Sequence, residues 1–223
     1  MILPHVSSLT PEQARDLEAF VRGGNTLLVT GLTGFYDADA RFLPAGRWPL
    51  RDLLGARPKD VQTAERADVA WSHPALTLPG RLWVGEVAND SAEVAAQQDG
   101  RVTAVRKHAG QGEVVWIPAL VGMGAWLGDG APLAELLGEL AGPFTRGAPF
   151  RFERRQTGCL LRVLQNGNAY VTVITNGTAE PRQCHLRRPA ALAPQLLWGA
   201  ASSLTRDDAV SLGARQTAVL LWQ

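Results

Sequence analysis

Retaining glycoside cleavage needs two carboxyl groups about 5 Å apart in a sugar-sized cleft. The candidate acids of this chain are Asp37, Asp39, Glu86, Glu93 and Glu113. None sits in the strand-end setting of a catalytic barrel, so they read as solvated or structural carboxylates. A second chemistry is nucleophilic: a hydroxyl or thiol on a sharp strand-to-helix turn, with a base in reach, attacks carbonyl carbon. The turn that follows the apolar run 26–30 is Gly31-Leu32-Thr33-Gly34. Leu32 stands at its apex and cannot attack anything. Thr33 beside it has a hydroxyl, but threonines in turns mostly bond backbone groups. Cys159 leads a strand-like run and reads as a buried thiol. Cys184 and His185 are adjacent, and neighbours on one strand face opposite ways.

The histidines His5, His73, His108 and His185 are scattered with no metal-ligand spacing. His5 follows the first strand, at the carboxyl end where open α/β sheets place ligands; the plainer reading is a hydrogen-bonded structural histidine. Residues 122–130 are rich in glycine but match neither a phosphate-binding loop nor a dinucleotide fingerprint. With Trp126 in the middle, this segment is expected to be a surface loop that touches another domain or subunit, with ligand binding as the alternative. Trp71, Trp83, Trp116, Trp198 and Trp222 lie on or beside apolar strands, where core or interface packing competes with sugar stacking. No catalytic residue, cofactor or metal is assigned from these patterns.

Lys and Arg total 22 against 21 Asp and Glu. That balance lacks the basic excess through which nucleic-acid binders gain affinity. Arg151, Arg154 and Arg155 alternate like a solvated strand face. No apolar run approaches the ~20 residues of a membrane span, and Met1-Ile2-Leu3-Pro4 leads straight into polar residues, unlike a signal peptide. A soluble, cytoplasmic chain is expected, and the sequons at Asn89 and Asn176 are read as chance matches. Cys159 and Cys184 are too few for a disulfide framework.

The elements that must position these residues begin with an apolar run, 2–6. Thr10-Pro11-Glu12-Gln13 is a helix start, with Thr10 as cap, Pro11 in the first turn and Gln13 completing a capping box. Ala14, Leu17, Phe20 and Val21 follow at helical spacing until Gly23-Gly24. The run 26–30 is apolar almost throughout, as strands covered on both faces are, so a parallel sheet with a right-handed βαβ crossover is expected. Residues 31–80 read as irregular apart from a short helix at 49–54. Strands are expected at 81–87, 102–108 and 113–118, the last two joined by Gly110-Gln111-Gly112, and Pro132 opens a helix with Leu133, Leu136, Leu137 and Leu140 on one face. A domain boundary is placed at Gly142-Pro143. Beyond it the period is two: 159–165 and 168–175 flank the turn Asn166-Gly167, and 182–186, 195–198 and 216–222 are further strands. Domains 1–142 and 150–223 are expected, the second a small antiparallel β-sandwich.

Several ordered pieces resemble the middle domain of family 42 β-galactosidases. They are Leu3-Pro4-His5, Leu9-Thr10-Pro11-Glu12, Leu17-Glu18-Ala19-Phe20-Val21, Gly23 to Thr30, Thr33-Gly34, Asp37-Ala38-Asp39, Pro49 to Gly55, Gly85-Glu86-Val87 and Gly110 to Trp116. The tail resembles the small β domain that ends those enzymes. The resemblance implies a flavodoxin-like fold of the class I glutamine-amidotransferase type, and a role in trimerisation. It also implies a catalytic (β/α)₈ barrel that carries two glutamates and stands ahead of this segment. A barrel alone takes ~250 residues, so it is expected to lie outside this 223-residue chain. By the same resemblance a strand and helix pair would precede Ile2.

The expected partners are copies of this chain, as a homo-trimer, and the parent enzyme's barrel, with neither nucleic acid nor membrane. Two other readings stand beside this one. An independent amidotransferase-like enzyme requires a nucleophile at Thr33 or Cys159 with a histidine in reach. A sugar-binding module requires two or more exposed, coplanar tryptophans.

Overall fold

The computed structural model describes residues 1–154, 156–199 and 209–223. The chain forms two compact units, Met1–Ala141 and Gly142–Gln223.

The first unit runs β1 (Ile2–Pro4), α1 (Pro11–Arg22), β2 (Thr26–Thr30), α2 (Arg51–Leu54), β3 (Ala56–Arg66), β4 (Val69–Trp71), β5 (Leu76–Leu78), β6 (Arg81–Asn89), β7 (Glu93–Gln98), β8 (Arg101–Ala109), β9 (Gly112–Ile117), α3 (Val121–Leu127) and α4 (Ala131–Arg146). The capping box at the start of α1 is formed: Gln13 N–H donates to Thr10 Oγ1 (3.2 Å) and Thr10 N–H to Gln13 Oε1 (2.9 Å). At its end Gly24, at φ +100°, takes the left-handed turn that lets β2 reverse direction.

Seven strands form one sheet in the order β1-β2-β9-β8-β7-β4-β5. The sheet is mixed and not wholly parallel. β1, β2 and β9 run parallel, and every ladder from β9 onward is antiparallel. The cause is connection length: Gly110 and Gln111 turn β8 straight into β9, and a turn this tight can join only antiparallel strands. The apolar runs are explained by cover on both faces. Leu27, Val29, Val114 and Trp116 pack with Leu17 and Val21 of α1 and Leu54 of α2. Leu28, Val115 and Ile117 pack with Val121 of α3 and Leu136 and Leu140 of α4.

Residues 31–80 hold more regular structure than expected. β3 is an eleven-residue strand that pairs with β6 in a separate antiparallel ribbon. Most of its residues are exposed on both faces, so it carries no apolar period to read. The segment 122–130 is likewise not simply a loop, since Val121–Leu127 is helical. Glycine is tolerated there because Gly124 lies against the backbone of Pro79 and Gly80, where no Cβ fits. The helix opened near Pro132 continues past residue 142 to Arg146.

The second unit holds β10 (Arg151–Phe152), β11 (Cys159–Asn166), β12 (Ala169–Asn176), β13 (Arg182–Arg187), β14 (Pro194–Trp198), β15 (Ala209–Leu212) and β16 (Thr217–Trp222). Gly167 (φ +57°) turns the β11–β12 hairpin. A three-stranded sheet, β10-β13-β15, and a four-stranded sheet, β11-β12-β16-β14, enclose one core containing Phe150, Ile174, Cys184, Leu186, Leu212, Leu220 and Trp222. Two antiparallel sheets around a shared core make a β-sandwich. Trp222 Nε1–H donates to Thr172 Oγ1 (2.8 Å) inside that core, so neither buried polar atom is left unsatisfied.

Candidate functional site

The carboxyl ends of β1 and β2 bring the turn 31–34 and one histidine together. Gly31 adopts φ +64°, and a Cβ there would strike the His5 ring and Leu120. Leu32 N–H donates to His5 Nδ1 (3.0 Å), and the His5 ring lies 5.3 Å from that of Trp83. His5 is itself held at φ +56°. Burial pulls its imidazole below the ordinary value. Thr33 is fully buried. Its hydroxyl donates to Thr30 O (2.8 Å) and accepts from Val6 N–H (3.1 Å). The turn at 31–34 leads into irregular chain and not into a helix, so it is not a strand-to-helix elbow, although a histidine does reach it. That histidine contacts the Leu32 backbone, and the Thr33 hydroxyl is already engaged at both ends. The arrangement ties the β1 exit to the β2 exit.

Trp48 completes this corner and gave no sequence signal. Its Nε1–H donates to Thr33 O (3.0 Å), and its ring lies 4.5 Å from Trp116. It reaches the turn from a stretch without periodicity.

The carboxylates are distributed rather than gathered. Glu86 pairs with Lys59. Glu113 Oε1 lies 2.8 Å from Arg106 Nε, an ion pair outside hydrogen-bond angles, while Arg106 Nη2–H donates to Glu139 Oε1 (2.9 Å). The Arg106 guanidinium also lies over the Trp71 ring, 5.5 Å from its centre. Glu93 is exposed at the start of β7, opposite Arg106 in register. Asp37 Oδ1 accepts from the N–H groups of Asp39 and Arg41 (both 2.9 Å), closing a turn. Asp39 meets Arg41 at 3.6 Å on the surface.

In the second unit Cys184 is fully buried in the sandwich core. Its thiol is pushed up to about 12, first by burial and then by the hydrogen bond and charge of Cys159, against a smaller pull from Arg182. The thiol thus stays protonated at neutral pH. Asn176 is fully buried too. Its Nδ2 donates to the carbonyls of Glu180 (2.7 Å) and Gly213 (2.9 Å), and its Oδ1 accepts from Thr178, so the sequon there is a structural turn. A 630 Å³ cavity is lined by Arg151, Phe152, Glu153, Arg154 and Arg187. Of the arginine series read as a strand face, Arg151 lies in β10, Arg154 is exposed, and Arg155 lies outside the described residues.

Trp48, Trp71, Trp116 and Trp222 are core residues, and Trp83 is partly buried. Trp126 (84% exposed) and Trp198 (62%) face solvent, one in each unit. His73 and His108 make no side-chain hydrogen bond to the turn 31–34; His108 sits in β8 opposite Glu113. Among the described residues no three His, Cys, Asp or Glu side chains group as metal ligands would.

The class defined here is an α/β unit built on three parallel strands with helices on both faces, in series with a β-sandwich. The chain belongs to the β-galactosidase trimerisation domain family, whose sequence model matches residues 1–142. No curated protein sequence matches it. Among solved structures it is similar to the β-galactosidase of Bacillus circulans sp. alkalophilus, with a TM-score of 0.78 and 16% identity over 100% of this chain and 32% of that one. The β-galactosidase from Rahnella sp. R3 gives 0.78 and 15% over 99% of this chain and 32% of that one. The enzyme from the Antarctic haloarchaeon Halorubrum lacusprofundi gives 0.67 and 23% over 98% and 30%. The chain spans about a third of the length of these relatives, and the likeness establishes its fold.

Proposed function

We propose that this chain is the assembly portion of a β-galactosidase-type glycoside hydrolase. The α/β unit holds copies of the chain together as a homo-trimer, the sandwich forms a separate domain, and hydrolysis belongs to a catalytic barrel outside these residues. The observation that carries this reading is coverage. The family match spans residues 1–142, while the solved β-galactosidases align with essentially all of this chain over only a third of their own. The domains are taken as 1–142 and 150–223.

The finer description of the first domain as flavodoxin-like, of the glutamine-amidotransferase type, is supported by the parallel β1-β2-β9 core with α1 and α4 on opposite faces. An amidotransferase activity has less support, because Leu32 occupies the apex and the Thr33 hydroxyl is engaged. No described helix is long and apolar enough to cross a membrane, which accords with a cytoplasmic enzyme.

Light scattering on the purified full chain over rising concentration tests the assembly role. The expected mass is three times the 24.0 kDa of one chain. A monomer at every concentration overturns it. Galactoside turnover by pure chain, abolished by Glu113→Gln, would overturn the assignment of catalysis to another segment.

A further inference from the structure

We propose that Cys159 and Cys184 close into a disulfide that fastens the two sheets of the sandwich to each other when the chain meets an oxidant of the disulfide class. The bridge lies wholly within the second unit and requires no partner chain.

Cys159 opens β11 in the four-stranded sheet, and Cys184 sits in β13 of the three-stranded sheet. Alternate residues of a strand share a face. Cys159 therefore points inward with Leu161 and Val163, and Cys184 with Leu186; all five belong to the one sandwich core. Both thiols are free, and their side chains lie within hydrogen-bond reach of each other.

Packed sheets stand about 10 Å apart, whereas a disulfide spans about 4.4–6.8 Å between Cα atoms. A bridge thus fits only where the sheets draw together, and these two residues lie at such a place. Residues 177–181 carry the chain directly from β12 of one sheet to β13 of the other. Asn176, the register partner of Cys159, donates from Nδ2 to Glu180 O (2.7 Å) just ahead of β13. From the other side, Cys159 N–H donates to Gln156 O (3.0 Å), and Gln156 Nε2–H donates to the carbonyl of Gln183 (3.5 Å), the residue next to Cys184. The backbones that carry the two thiols are thus tied together on both sides of the pair, which is held in place before any oxidant arrives.

Exposure assigns the order of events. Cys159 is half-buried and Cys184 fully buried, and the thiolate is the attacking form. Cys159 sheds its proton to solvent and attacks one sulfur of glutathione disulfide. That S–S bond breaks, and a glutathione thiolate leaves and takes up a proton. The Cys184 sulfur then attacks the Cys159 sulfur of the mixed disulfide, and its proton passes to the second departing glutathione. Both cysteine thiols are oxidised, the glutathione disulfide is reduced to its thiols, and no proton is gained or lost overall. Burial first, and then the hydrogen bond and charge of Cys159, hold the Cys184 thiol up at about 12. Capping Cys159 with glutathione removes its charge, which eases the closing step.

The test uses the full reduced chain, treated with excess oxidised glutathione or with excess dithiothreitol, both as folded protein and during refolding from urea. Each sample is then alkylated and its intact mass measured. The oxidised chain is expected to be lighter than the reduced one by a pair of hydrogen atoms, to take up no alkyl group, and to yield a peptide pair joined through Cys159 and Cys184. In calorimetry the melting temperature of the sandwich is expected to rise by at least about 5 °C on bridging, and dithiothreitol should reverse the rise. Cys159→Ser and Cys184→Ser should each abolish it, and Cys184→Ser should instead retain glutathione on Cys159. Free, alkylatable thiols after both oxidative routes overturn the proposal. So does a wild-type chain that stops at the mixed disulfide, or a bridge between chains that shows as doubled mass. A bridge that forms without raising the melting temperature overturns its fastening role.

Discussion

The Nδ1 atom of His5 can accept the Leu32 amide hydrogen only while it carries no proton of its own. Burial already lowers the His5 pKa from the ordinary 6.5. The unfolded chain therefore binds the proton more readily than the folded one. The stability contributed by neutral His5 is complete above about pH 6.5 and is lost as pH falls from there through the lowered folded value. Urea unfolding at about pH 7.5 and 5.5 should show the folded state weakening on the acid side. His5→Asn keeps a side-chain acceptor and tolerates the positive φ, so it should retain most of the stability at the higher pH while flattening that slope. His5→Ala should cost ~1–3 kcal/mol at the higher pH, because it strands the Leu32 N–H, and less at the lower, where the wild type has itself lost part of the His5 contribution. An Asn variant with the wild-type pH dependence would remove His5 as the cause. The position of His5 at a strand's carboxyl end was legible from the sequence. Its bond to Leu32, and the Trp48 bond that closes the same corner, were not, because both depend on how residues far apart in the chain are brought together.

Elements were legible where one face is apolar and the other wet, where an apolar run is unbroken, or where an end is chemically marked. α1 shows both signals, with buried Ala14, Leu17 and Val21 behind the Thr10–Gln13 box. Thr10→Ala should cost ~1 kcal/mol in thermal unfolding, the usual worth of a cap. β2 and β9 were legible because their cover on both faces leaves an unbroken apolar run. β3 was not: Lys59, Asp60, Gln62, Thr63 and Glu65 are all exposed, and bulges interrupt its pairing near Pro58 and Ala64. Such charged, bulged strands protect a sheet edge from unwanted pairing, and that same composition reads as loop. α3 was hidden by its glycines, which carry opposite meanings. Gly124→Ala must push a methyl group into the Pro79–Gly80 backbone and should cost ~1–3 kcal/mol. Gly122→Ala should be neutral or stabilising by about 0.5–1 kcal/mol in the dissociated chain. Melting temperatures of the two variants that moved together would refute this division of the helix.

At the scale of the molecule, the buried residues separate into cores that share no member. Two lie on either face of the seven-stranded sheet, and the third gathers residues from Phe150 to Trp222. The first two are joined through the strands between them, since Leu27 and Leu28, or Val115 and Trp116, face opposite layers of one backbone. They must melt together. The sandwich has its own sheets and its own fully buried centre at Ile174, Leu220 and Trp222. Calorimetry of the full chain should therefore resolve two transitions. Leu136→Ala and Leu220→Ala each remove a fully buried leucine, and each should cost ~2–5 kcal/mol in the transition that contains it while leaving the other in place. Assembly adds a second discriminator. Association stabilises only the unit whose folded form makes the contact, so its melting temperature rises with protein concentration. If copies meet through the α/β unit, the transition lowered by Leu136→Ala should move with concentration and the one lowered by Leu220→Ala should stay still. A single transition displaced by both variants would mean that the chain folds as one cooperative body, and the two-domain division would have to be withdrawn.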